Sequence, residues 1–183
     1  MPLSDPAPRK HLHTRTVTCT GYQRDDGLWD IEGHLVDVKT YDFENRHRGT
    51  VHAGEPVHEM WLRLSIDDDM EIRHAEAATD HGPYAMCPDI TPRFALLEGL
   101  RIGPGFHREV QKRVGGVKGC THLVELLRPL ATTAFQTLVA KRRKHEADPD
   151  APPRRPIFLD TCHAHASDSP EVKRRWPDFY TGP

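Results

Sequence analysis

The chain has 183 residues, a length that suits one domain with an appended tail and is enough to bury a core without metal or disulfide staples. Hydrophobic residues make up 37% and charged residues 28%, with a formal net charge of −2 and a pI near 6.7, so the default is a globular protein with no basic excess for nucleic acid or anionic membrane. The longest apolar runs fall short of the ~18–20 residues of a membrane span. The N-terminus has no apolar run of the secretory type, so a cytoplasmic location is expected, with the four scattered cysteines as free thiols.

Residues 1–12, with three prolines, read as a flexible arm. Thr14 to Tyr22 is rich in β-branched residues and predicts a strand. Asp25-Asp26-Gly27 is a turn signal, and Leu28 to Tyr41 predicts the returning strand of a hairpin. In that strand Trp29, Ile31, Gly33 and Leu35 share one parity, whereas Val36 and Val38 take the other. That switch predicts a bulge near Leu35 or burial of both faces. Asp42 to Gly54 is polar and reads as a loop.

Val57 to Ile66 alternates cleanly. His58, Met60, Leu62, Leu64 and Ile66 form the expected core face, with His58 at its head. Asp67-Asp68-Asp69 makes a turn into a strand over Glu71 to Asp80. Its acidic run lacks the ligand spacing of a calcium loop. Beyond His81 the pattern becomes helical. Thr91-Pro92 marks a helix start, Phe106 to Val114 a short helix, and Gly115-Gly116 its end. A long helix should open at Cys120 or Thr121, with Leu123, Val124, Leu127, Leu130, Ala131, Ala134 and Leu138 as its apolar stripe. Pro129 inside it predicts a kink or break near Arg128. The basic runs Lys141 to Lys144 and Lys173 to Arg175 have acidic neighbours and read as solvated helix faces.

Asp148 to Pro156 is a Pro-rich linker. It leads to a tail with a short strand into Cys162-His163 and an aromatic end that docks. The whole is an α+β fold: an antiparallel sheet of about four strands (~14–80), packed by C-terminal helices (~91–145). The domain spans 13–147, followed by linker and tail over 148–183.

Chemistry concentrates where strand ends meet helix starts. His58 and Glu59 head a strand, Cys87 follows the sheet, Cys120 and His122 open a helix, and Cys162-His163 sits in the tail. Cys120 is the best placed. A helix N-terminus favours thiolate, which is both a nucleophile and a metal ligand, and Lys118 is close in sequence. Cys120 and His122 diverge if both are helical, so they can act together only with Cys120 still in the loop.

Four segments carry a family resemblance. They are Gly21 to Lys39, Pro56 to Leu64, Gly115 to Leu127 and Leu159 to Ala164. Together they resemble a bacterial family of domains of unknown function, number 2889 (DUF2889), over nearly the whole chain. This resemblance implies a shared fold and brings no reaction with it. The order of elements from His58 to Ala134 is also similar to the NifU-like iron–sulfur cluster scaffolds. That likeness implies a sheet–helix rim with three cysteines and a carboxylate. On this chain it would place a site at His58 or Glu59, at Cys87 and at Cys120.

Three readings follow. The first is a metal-binding protein, holding zinc or iron through Cys87 and Cys120 with partners among His58, Glu59, His122, Cys162 and His163, a set that admits iron–sulfur chemistry. The second is a thiol enzyme with Cys120 as nucleophile and His122 or His163 as base. The third is a non-catalytic domain that binds a ligand or partner. The partner is open, and a homo-oligomer is compatible with the sequence. No G-x-S-x-G or H-E-x-x-H supports serine or zinc hydrolysis.

Overall fold

The computed structural model describes residues 3–146, 155–156 and 158–183, with side chains of 140 and 142–146 left aside. Four long strands form an antiparallel sheet: β1 (His13–Gln23), β2 (Trp29–Lys39), β5 (Pro56–Ile66) and β6 (Ile72–His81), in the order β1-β2-β5-β6. Together with its helices this makes the α+β class that the sequence predicts. Between β2 and β5 the polar stretch read as a loop holds a small hairpin of its own, β3 (Phe43–Asn45) and β4 (Gly49–Val51).

Local chemistry sets both tight connections. Asp26 Oδ1 accepts from the Leu28 amide at 3.2 Å, and Gly27 takes the positive φ (+88°) that the turn needs. Asp67 Oδ1 accepts from the amides of Asp69 and Glu71 at 2.9 and 3.0 Å, and its Oδ2 is held by Arg73. The acidic run is thus a backbone cap, with Asp67 already saturated.

β1 and β2 pair without a slip from His13↔Lys39 to Gln23↔Trp29. The predicted bulge near Leu35 is displaced: the register between β2 and β5 shifts only between Asp37 and Val38. Leu35 keeps its parity, and the next residue on the core face is Asp37, a buried carboxylate.

The segment Cys87–Leu97 is a 3₁₀ helix, so the helical stretch begins before the start predicted at Thr91-Pro92 and has Pro92 inside it. The chain then runs back along β6, where Ile72 exchanges backbone bonds of 2.8 Å with Gly99 and Leu100. α1 (Phe106–Val114) buries Phe106, Val110 and Val114, spaced one turn apart. α2 (Thr121–Glu146) is one element through Pro129, so of the predicted kink or break the break does not occur. Its buried stripe is Leu123, Leu126, Leu127, Leu130, Ala131, Ala134 and Leu138. Two glycines let it lie directly on the sheet. A Cβ on Gly33 would stand 3.2 Å from Leu130, and one on Gly21 would stand 1.9 Å from Thr137 Oγ1.

The chain divides into two compact units, Met1–Ala140 and Lys141–Pro183. The second unit carries α3 (Pro170–Arg175), capped by Ser169 Oγ, which accepts from the Val172 amide at 3.2 Å. Arg174 and Arg175 pair with Glu171 on that helix. Around Cys162 the described residues form turns and a 3₁₀ segment, His163–His165, in place of the predicted strand. Most of the Pro-rich linker lies outside the described residues.

Candidate functional site

At one end of the sheet the register sets Arg15, Asp37 and His58 side by side on β1, β2 and β5. All three are on the face covered by α2. The Asp37 side chain is 3% exposed, so its charge has to be met inside the protein. Arg15 does so as a fork, Nε to Oδ1 at 2.8 Å and Nη2 to Oδ2 at 2.7 Å. His13 Nε2 reaches Oδ1 at 2.9 Å, and His58 Nδ1 reaches Oδ2 at 3.0 Å. Burial pushes the Asp37 carboxyl up, but Arg15, His13 and His58 outweigh it and hold it below the usual carboxylate range.

α2 adds the fourth side. Arg15 Nη1 also pairs with Glu125 at 2.6 Å, which ties β1 to the first turns of the helix. His122 then lies against His58, with ring centroids 3.9 Å apart. Burial lowers the pKa of both rings. Each is lowered further by positive charge nearby, His58 by His122 and His122 by Arg15. Two half-buried imidazoles are therefore biased toward the neutral form, the one in which nitrogen is a ligand or a base.

Cys120 immediately precedes α2, in the loop position that lets it meet His122. Its Sγ is 3.9 Å from His122 Nδ1 and 3.8 Å from Met60 Sδ. Lys118 does not face this thiol: its Nζ donates to the Lys112 carbonyl.

Among the described residues, the His, Cys, Asp and Glu donors close enough to share one ion are Asp37, His58 and His122, mutually within 4.8 Å. Of the side chains singled out in the sequence, the structure gathers His58, His122 and the adjacent Cys120. Glu59 points to the opposite face, 3.1 Å from His34 and 3.7 Å from His81. Cys87 packs beside Gly82, and Cys162 and His163 are exposed residues of the second unit. Sequence reasoning missed Asp37, Arg15 and His13. The signal was present in the parity of β2, where Trp29, Ile31, Gly33 and Leu35 lead to a carboxylate on the same face.

The profile of the family described as protein of unknown function (DUF2889) matches residues 13–136. The chain belongs to this family. The matched span of the DUF2889 chain runs from β1 into α2 and contains every residue of the cluster, while Cys162 and His163 fall beyond it. No curated protein and no solved structure matches the chain. No helix among the described residues is long and apolar enough to cross a membrane.

Proposed function

We propose that this DUF2889 protein binds a divalent transition metal, zinc or iron, through Asp37, His58 and His122. One observation carries the reading: three potential ligands from β2, β5 and α2 lie within 4.8 Å of one another. The donor set suits the ion. Two imidazoles and one carboxylate leave room for exogenous ligands, a pattern used for zinc and for non-haem iron. The 3.0 Å between His58 Nδ1 and Asp37 Oδ2 is near the spacing of two ligands on one ion. Closing the wider gaps to bonds of ~2.0–2.2 Å takes about 1 Å of side-chain movement. Arg15 would act as the outer partner that keeps Asp37 ionised and oriented.

The ligand set differs from the one expected of a NifU-like scaffold. An iron–sulfur cluster wants several thiolates, and among the described residues Cys120 is the cysteine in contact with this cluster. A single ion is the better match, in a cytoplasmic setting that keeps the thiol reduced.

Elemental analysis of untagged protein, followed by zinc or anaerobic Fe(II) titration, tests the reading. The expected result is one ion per chain, with affinity lowered at least tenfold in His58→Ala and in His122→Ala and unchanged in Glu59→Gln. Binding that ignores both histidine substitutions sinks it. The contact between Cys120 and His122 favours a second reading, a thiol nucleophile with His122 as base. Iodoacetamide labelling of Cys120 that does not slow in His122→Ala would remove that one.

A further inference from the structure

His122 has two kinds of neighbour. On one side are Asp37 and His58, oxygen and nitrogen donors. On the other is a sulfur, Cys120 Sγ at 3.9 Å from its Nδ1, and that Sγ has a second sulfur beside it, Met60 Sδ at 3.8 Å. The geometry points to this sulfur side as a second, soft coordination site that takes monovalent copper through Cys120, Met60 and His122.

Met60 decides the class of ion. Thiolate and thioether are soft donors that suit Cu(I) and zinc and not magnesium or calcium, and the neutral, polarizable thioether favours the softer monovalent ion of the two. Met60 is 1% exposed and belongs to the core face of β5, so its position is fixed by packing, with its sulfur against the partly buried Cys120. The spacing agrees. With bonds of ~2.0–2.3 Å, donors around a trigonal ion stand about 3.5–4.0 Å apart. The separations of Cys120 Sγ from the other two donors, 3.8 and 3.9 Å, fall within that range.

Charge agrees as well. Cu(I) with one thiolate is neutral, and a neutral assembly suits half-buried surroundings in which the nearby carboxylate is already paired with Arg15. Elements distant in sequence supply the donors. Met60 comes from mid-strand, and Cys120 and His122 from the last loop residue and the second residue of α2.

The inference rests on the reading that this rim binds metal, and deepens it by naming a second ion. Because His122 is shared, the two sites compete. The experiment is an anaerobic titration of the full chain carrying Cys162→Ser, which removes the exposed thiol. Cu(I) is partitioned against a chromogenic Cu(I) chelator, and zinc against a zinc indicator in parallel. One Cu(I) per chain is expected. Met60→Leu, which nearly conserves volume, should lower Cu(I) affinity at least tenfold and leave zinc affinity within twofold. Asp37→Asn should do the reverse. Circular dichroism and thermal melting confirm that each variant folds. Cu(I) held as tightly by Met60→Leu as by its parent, or undiminished by Cys120→Ser, overturns the inference. Zinc binding can fail while Met60-dependent copper binding holds, which would remove the Asp37–His58–His122 site alone.

Discussion

His58 and Glu59 are adjacent on β5, yet they end in opposite surroundings. His58 faces α2, with Asp37, Arg15 and His122 around it. Glu59 faces the uncovered side of the sheet, where it meets His34 and His81 and where Trp61 stacks on His34 at 3.5 Å. Both clusters contain imidazoles and a carboxylate. What separates them is the helix. On the covered side Asp37 is 3% exposed and its charge has to be matched by protein, whereas Glu59 is 24% exposed and shares its charge with water. A carboxylate among histidines is an ordinary surface contact until something excludes solvent from it.

The largest effect should come from removing the buried charge. Asp37→Ala leaves Arg15 and His58 facing each other without their anion and should cost about 3 kcal/mol in urea unfolding. Glu59→Gln on the open face should stay within about 1 kcal/mol. Equal costs would break the comparison. The next test moves the helix. Gly21→Val drives a side chain into Thr137 and should cost about 2 kcal/mol, with the loss of stability accompanied by weaker metal binding if the rim depends on how α2 is seated.

The pH dependence comes third. His58 and His122 bind protons less readily folded than unfolded, so their contribution is intact above the ordinary imidazole value near ~6.5 and is lost as pH falls below it through their lowered folded values. Asp37 works in a separate window. Its contribution is present above the ordinary ~3.9 and disappears as pH falls through its depressed folded value. His107, lowered by burial and by Arg128, adds to the upper window, and His52, raised by Asp42, opposes it. His122→Gln should flatten the upper window in a melting series from pH 7.5 to about 5 and leave the acid limb in place. The smallest effect belongs to the open face. Trp61→Ala removes the stack on His34, should cost about 1 kcal/mol, and should leave zinc and copper binding untouched.

The sequence by itself determined the four long strands, the order of their two hairpins and the helical half. Period-two alternation from Val57 to Ile66, turn residues at Asp25–Gly27 and Asp67–Asp69, and the stripe from Leu123 to Leu138 are local signals that packing left in place. It also pointed to His58, Cys120 and His122, because each stands at an element boundary. Tertiary structure decided the rest. Which of two neighbours, His58 or Glu59, belongs to the candidate site depends on which face α2 covers, and α2 is more than fifty residues further along the chain. Parity puts Asp37 on the core face of β2, but only cross-strand register sets it between Arg15 and His58. Burial and register are properties of the assembled sheet and helix. They turn an ordinary carboxylate into a matched internal charge, and bring a core methionine within reach of a loop cysteine.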